Sequence, residues 1–474
     1  MFPLRLRLCA GLVLLCSSSA LLAQQAALPA EMQSQIADTV KAVLAESGTP
    51  SAQVGIIQNG KVVYTAAFGD ARIASEGKAA VPATTEMAYG IGSISKQFTA
   101  VAVMLLVEQG KLKLDDPVST WFPELAHSRE ITLRNLLNQV SGYEDYYTED
   151  YLMPELAKPI DSYELVKRWT SHPLNFAPGT KWQYSNTNYV LAGLIVQKVA
   201  GQPFFQFLEA NVLRPAGLTG VVNLDAQRPA LPVGYQRFAF GPPRPVQGEA
   251  QGTLSGAGQL AMPIAELMKW DTVVMHRQLI LKPASWQVLQ SEVALPNGAG
   301  SGYGMGFFIE SKNGRRVIEH SGGLSGFTSL NQLYPESGSA IAVLTNCDTA
   351  TGGLVTAIEK VIFAPQPSTT VASDAAQEEL LKKAVAQIEA GKLDPALIAP
   401  NLLYMFTPPV LADYRESLKP FGEITKLEPL RRYERGGMDG FAYRATGSSG
   451  QVLGMRGYFT KDGKLDQLML VRMQ

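Results

Sequence analysis

Disulfides are the first thing this sequence lacks. It has three cysteines in 474 residues. Cys9 and Cys16 fall in an N-terminal leader, so the rest of the chain keeps Cys347 alone and can form no internal bridge. Stability has to come from an apolar core, and 46% hydrophobic against 18% charged residues supply one and exclude a disordered chain. An excess of charge of one sign is missing as well. Lys and Arg number 41, Asp and Glu 42, so neither nucleic acid nor an anionic lipid surface is an expected partner. His127, His172, His276 and His320 are the only four histidines. They are far apart, with no H-E-x-x-H and no Cys/His cluster, so no metal site is expected and no cofactor is implied. Gly256-Ala257-Gly258-Gln259-Leu260-Ala261 formally fits a dinucleotide fingerprint, but no β-α-β alternation surrounds it, and nucleotide binding is not expected.

Long apolar runs are limited to one. Arg5 and Arg7 precede Leu8 to Leu22, a run short for a membrane span that ends in small residues. This is the pattern of a secretory signal peptide over residues 1–23, with cleavage after Ala20 or Ala23. The expectation is a secreted or periplasmic protein with no stable membrane span once the leader is removed. Leu15 stands before Cys16 where a lipoprotein signal would have a small residue, which argues against a lipid anchor. A buried N-terminal helix is the other reading of the same residues.

Met32, Ile36, Val40, Val43 and Leu44 recur at helical spacing between Pro29 and Gly48, predicting an amphipathic helix over residues 30–46. Asn59-Gly60 then separates two apolar runs and predicts a hairpin. Strand patterns return only at 316–319, 327–334 and 340–344, followed by a helix over 353–363. The simplest assembly pairs the early hairpin with the three late strands, covers the sheet with the first and last helices, and inserts a mostly helical middle. That is an α/β domain with an antiparallel sheet of five or more strands and an all-α lobe, with a cleft between them for a ligand. Residues 364–377 are rich in Pro, Ser, Thr and Ala without periodicity and read as a linker. Residues 378–474 read as a small α+β unit, helices followed by a meander of about four strands, loosely similar to NTF2-like or cystatin-like folds.

Three features carry chemistry. Ser93-Ile94-Ser95-Lys96 fits S-x-x-K, and so does Ser75-Glu76-Gly77-Lys78. Phe98, Ala102, Leu105 and Leu106 show that Ser93 opens a buried helix, whereas Ser75 lies in a polar turn. Residues three apart share a helix face, which would bring Lys96 within reach of the Ser93 proton. An N-capping serine with a solvated lysine is the alternative. Second, Tyr184-Ser185-Asn186 precedes a helical pattern that stops at Gly201. The tyrosine can shuttle a proton and the asparagine can hold the lysine or an amide; a turn filled by an incidental aromatic is the bland reading. Third, His320-Ser321-Gly322-Gly323 ends a predicted strand, where glycines let a carbonyl approach backbone N–H groups. The acidic-aromatic loop Tyr143 to Tyr151 reads as a solvated rim of the cleft.

Taken in this order, the three motifs resemble the serine β-lactamase and penicillin-recognising superfamily, most closely its class C and D-peptidase/esterase branch. Ile131 to Leu137 with Ser141-Gly142, Pro215-Ala216-Gly217-Leu218 and Tyr303-Gly304-Met305-Gly306-Phe307 are similar to that family too, and the resemblance spans about residues 30–363. It implies a serine hydrolase domain over residues 24–363 that acts on a small ester, amide, peptide or β-lactam through an acyl-enzyme. The resemblance makes Ser93 the nucleophile, with Lys96 and Tyr184 sharing acid and base duty and Asn186 orienting Lys96 or the acyl group. The resemblance also implies an oxyanion hole from the backbone N–H groups of Ser93 and Gly323, counts His320 among the catalytic residues, and makes Ser321 and Gly322 substrate-binding. Class C enzymes have Lys-Thr-Gly where this chain has His320-Ser321-Gly322, exchanging a permanent cation for a group expected to titrate near 6.5. Esterase, amidase or peptidase activity is therefore expected at least as much as β-lactam hydrolysis. A penicillin-binding or sensor protein that forms a stable acyl adduct without turnover is the alternative.

Overall fold

Ile36, Val40 and Leu44 recur every fourth residue and are the buried positions of helix α1 (Ala30–Ser47), which stops where Gly48 takes a left-handed φ of 68°. The computed structural model describes residues 27–473 apart from 150, 313, 348–350, 364–373 and 436. The signal peptide expected over 1–23 and most of the linker expected over 364–377 lie outside the described residues.

Asn59 and Gly60 have φ of 51° and 71°, as a two-residue type I′ turn requires, and join β1 (Ser51–Gln58) to β2 (Lys61–Arg72). The remaining strands of this sheet are β3 (Val81–Pro82), β4 (Phe308–Lys312), β5 (Arg315–Leu324), β6 (Phe327–Tyr334) and β7 (Ser339–Thr345). They form a seven-stranded antiparallel sheet in the order β3-β2-β1-β7-β6-β5-β4. The two strands not anticipated from sequence, β3 and β4, are its edges, where strands are short or polar and carry little apolar signal. In the middle, Val54 of β1 faces Val343 of β7, which joins the first strand to the last across an insertion of more than two hundred residues.

Each face of the sheet is covered. α1 and a late helix, α5, pack on one side, with Ile36, Val40, Val54, Val343, Leu354 and Ile358 in one cluster. Against the other side lies the helical lobe, built around α2 (Ser95–Glu108), α3 (Asn186–Ala200) and α4 (Ile264–His276); α5 itself is Thr351–Ile362. Residues 95–104 of α2 are all buried, as befits a helix wrapped by protein on every side.

The tail starts within the expected linker. Asp374 accepts hydrogen bonds from the N–H groups of Ala376 and Gln377 and so caps α6 (Ala375–Ala390). α7 (Pro400–Met405) and α8 (Pro408–Leu418) follow. Then comes a four-stranded meander of β8 (Ile424–Arg435), β9 (Met438–Gly447), β10 (Val452–Phe459) and β11 (Leu465–Arg472). One face of this sheet packs Phe441, Tyr443, Met455 and Leu468 on Leu381, Val385 and Leu402 of the helices. The other face carries two cross-strand rows, Arg431-Ala442-Arg456-Met469 and Tyr433-Gly440-Tyr458-Gln467. The tail docks on the rest of the chain: Tyr151 and Ala239 bury themselves in its core, and the Phe240 N–H donates to Ser417 Oγ at 2.9 Å. Among the described residues no helix is long and apolar enough to cross a membrane.

Candidate active site

Ser93 sits in a single 3-10 turn (Gly92–Ile94) that runs directly into α2. Its hydroxyl caps neither helix, which disposes of the N-cap alternative; it faces Lys96 instead. Lys96 Nζ lies 2.9 Å from Ser93 Oγ, 2.8 Å from Asn186 Oδ1 and 2.7 Å from the Ala257 carbonyl. The lysine is wholly buried, and that burial, with the nearby Arg435 cation, pushes its pKa well down, only partly opposed by Asp145. A neutral amine has two N–H donors and one lone pair. With the donors on Asn186 and Ala257, whose oxygens can only accept, the lone pair is left for the Ser93 hydroxyl proton. Arrayed this way, the Lys96 amine faces the Ser93 hydroxyl.

Tyr184 approaches from the loop before α3. It lines the same cleft as Ser93, and burial raises its pKa above the usual phenol value, so at neutral pH it is an O–H donor and not a phenolate. Lys96 Nζ stands 5.0 Å from the Tyr184 ring centroid. Asn186, the first residue of α3, is itself oriented. Its backbone N–H donates to Asp145 Oδ1 at 2.8 Å, and its Nδ2 reaches both Asp145 oxygens at 3.1 and 3.2 Å and the Tyr147 carbonyl at 3.1 Å. The amide nitrogen thus faces Asp145 and the amide oxygen faces Lys96. Burial pushes the Asp145 carboxyl up to about 6, against the lowering influence of Arg435 and the donated hydrogen bonds.

The loop from Tyr143 to Tyr151 is accordingly not the solvated rim expected from its composition. Tyr143, Asp145, Tyr146, Tyr147 and Glu149 are buried, because the loop is clamped between the helical lobe and the tail. The glycine-rich segment 256–261 also acquires a use unrelated to nucleotides. Its Ala257 carbonyl is a Lys96 partner, and the Gly256 carbonyl accepts from Thr99 at 2.7 Å. A Cβ on Gly256 would stand 2.4 Å from the Tyr189 carbonyl oxygen, so the chain passes there only as glycine.

Strand β5 supplies the facing wall, and its residues differ in what they offer. At Gly322 a Cβ would lie 1.9 Å from the Ile91 carbonyl oxygen, so that glycine serves packing. Gly323 has open space where a Cβ would be, and Ser321 is exposed in the cleft. A Cβ on Gly92 would come within 2.7 Å of Gly323 N. The turn bearing Ser93 therefore abuts Gly323, and the two N–H groups expected to form an oxyanion hole belong to touching segments.

His320 corrects an expectation. It does not titrate near 6.5: burial and the neighbouring Lys96 lower its pKa to about 3. Nδ1 is 2.6 Å from the Ser321 carbonyl, which can only accept, so Nδ1 carries the proton and Nε2 accepts from the Tyr303 hydroxyl at 3.1 Å. The imidazole is a neutral, fixed wall element. Ser75 and Lys78, the rival pair, bond each other's backbones in an exposed turn and do not line the cleft.

Ser93, Tyr184, Asn186, His320, Ser321, Gly322 and Gly323 all line one cleft of about 490 Å³, whose wall is completed by Arg431, Tyr433, Arg435, Arg456 and Tyr458 of the tail. Among the described residues no cluster of His, Cys, Asp or Glu could hold a metal ion.

A buried lysine bonded to a helix-start serine, beside a tyrosine and between a sheet and a helical lobe, defines a serine acyl-transfer hydrolase fold. Residues 36–363 match the Beta-lactamase family, and the chain belongs to it. It is 27% identical over 329 residues to penicillin-binding protein 4* of Bacillus subtilis (strain 168), covering 65% of this chain and 71% of that one. Among solved structures it is similar to a D-stereospecific amidohydrolase from Streptomyces sp., with 26% identity, a TM-score of 0.57, and coverage of 68% of this chain and 97% of that one. The octameric penicillin-binding protein homologue from Pyrococcus abyssi shares the fold through the tail as well, with 21% identity, a TM-score of 0.60, and coverage of 93% and 98%.

Proposed function

We propose that this chain is an exported hydrolase that cleaves ester or amide bonds in small substrates through an acyl-enzyme on Ser93. The observation that carries the reading is the buried Lys96 amine, bonded to Ser93 Oγ while two acceptor-only oxygens occupy its donors. Ser93 Oγ–H passes its proton to Lys96 as the oxygen attacks the substrate carbonyl. The carbonyl oxygen, now negative, is met by the N–H groups of Ser93 and Gly323. The C–O or C–N bond then breaks, and the proton held by Lys96 goes to the departing oxygen or nitrogen with the Tyr184 hydroxyl as relay. Water repeats the sequence in reverse to free Ser93.

Amides of D-amino acids are the first substrates to examine, because a D-stereospecific amidohydrolase shares 26% identity and nearly its whole length with this chain. β-Lactams come second: neutral His320 offers no cation to their carboxylate at the third motif.

Intact-mass measurement during incubation with chromogenic esters, D-amino-acid amides and β-lactams tests the reading. Product formation with a transient mass increase that vanishes in Ser93→Ala supports it. A lasting adduct without product turns the reading to a penicillin-binding or sensor protein, and product formed undiminished by Ser93→Ala removes Ser93 from the mechanism.

A further inference from the structure

The third motif supplies no cation, yet the cleft is not without them. Its three arginines, Arg431, Arg435 and Arg456, all come from the tail sheet. They share a face with Tyr433 and Tyr458, because Arg431 and Arg456 lie in one cross-strand row and the two tyrosines in the next. The rings of Tyr433 and Tyr458 meet edge to face at 5.6 Å. Between them stands Gly440, where a Cβ would come 2.4 Å from the Tyr433 ring, so the aromatic pair depends on that glycine. An arginine and tyrosine face on an antiparallel sheet would ordinarily be the solvated one. Here it closes a cleft that holds a serine and a lysine base.

The charges on this wall are unequally committed. Arg431 is matched by Glu310 at 3.1 Å. The other carboxylate of the cleft, Glu319, is held by Gln332 and pushed up to about 7 by burial. Arg435 is held in place, one Nη on the Tyr147 carbonyl at 3.2 Å and the other on the Tyr458 hydroxyl at 3.3 Å. Arg456 is exposed to the cleft and forms no ion pair among the described residues.

We propose that this face of the tail is the recognition wall for a substrate carboxylate: the hydrolase takes esters or amides that carry a free carboxylate. Arg456 binds the carboxylate, with the Glu310-paired Arg431 in its own cross-strand row, and the Tyr433–Tyr458 pair in the next row packs on the substrate's apolar part. The inference rests on the hydrolase reading above and names the substrate class of that site. It makes the tail a specificity element and accounts for a third motif that can dispense with its cation.

The test uses the full chain and matched substrates. One pair is N-acetyl-D-alanyl thioglycolate and its methyl ester, with the carboxylate on the leaving side. The other is p-nitrophenyl hydrogen glutarate and its methyl ester, with the carboxylate on the acyl side. In at least one pair the acid should exceed its methyl ester in kcat/KM by about tenfold or more, as expected for a charge-assisted contact, and added salt should erode the preference. Arg456→Gln should bring the ratio toward one by raising KM for the acid alone, and Arg456→Lys should restore much of it. Equal kcat/KM for both members of both pairs, or a preference that survives Arg456→Gln, overturns the carboxylate wall while leaving the hydrolase reading intact. Failure of all four compounds to be hydrolysed or to form an adduct counts against the hydrolase reading, and with it the wall.

Discussion

Two turns of this chain carry the same spacing of serine and lysine, and they differ in everything around it. Ser75 and Lys78 lie in a solvent-exposed bend whose backbones bond each other. Lys78 there is exposed to water and has none of the buried oxygen partners that surround Lys96. Ser93 and Lys96 lie where a 3-10 turn becomes a buried helix, and Lys96 has exchanged water for three oxygen partners. The pattern selects a geometry, one helical turn between hydroxyl and amine. Burial selects the protonation state, and only the second turn has both.

Removing the base while keeping its charge is the sharpest way to break the contrast. Lys96→Arg should lower kcat by about 10³-fold, since a guanidinium stays protonated and general-base assistance is worth about 10²–10⁴. Retention of more than a tenth of the activity would mean that no lysine base is needed.

Next in size is the support behind the lysine. Asp145→Asn places a donor where Asn186 Nδ2 now finds an acceptor, so the Asn186 amide loses its orientation. A loss of about 10–100-fold in kcat with KM little changed is expected, the cost of one misdirected buried polar group. A change in KM alone would show that Asp145 acts on binding instead.

A smaller effect concerns the shape of the pH profile. The acid limb of kcat should follow Lys96, rising as the amine loses its proton, with no separate step near 6.5 from His320. Stability should carry the His320 signature. Its folded pKa of about 3 lies below the unfolded value near 6.5, so the unfolded chain binds the extra proton between them, and the histidine's contribution is full above about 6.5 and lost as pH falls toward 3. Denaturant melts of the parent and His320→Asn between pH 4 and 8 measure this. Parallel curves would contradict a buried neutral imidazole.

The smallest effect belongs to the other turn. Ser75→Ala should leave kcat/KM and melting temperature unchanged, and a substantial loss would move the chemistry away from Ser93.

Much of this was legible in the sequence because its cause is local. Asn59-Gly60 dictates its hairpin through φ, and the spacing of Ile36, Val40 and Leu44 dictates α1. Ser93, Lys96, Tyr184 and Asn186 stood out because each sits at or next to a helix start in a recognisable pattern, and His320, which the structure places inside β5, through the Ser-Gly-Gly that follows it; the structure gathers all five. The contributions that escaped are set by tertiary packing. Asp145 sits in a loop whose acidic and aromatic letters suggest solvation, and it is buried through packing against residues distant in sequence, Asn186 among them. His320 looked titratable for the same reason. Arg431, Tyr433 and Arg435 do alternate with period two, a signal that they share one strand face, but nothing local says that the face turns toward a serine 340 residues earlier.

The Tyr147 carbonyl oxygen accepts from Asn186 on one side and from Arg435 on the other. A single atom thereby ties the tail to the amide that faces Lys96. The same Arg435 adds its positive charge to the burial that holds the Lys96 pKa down, so the tail is joined to this lysine through bonds and through its electric field at once.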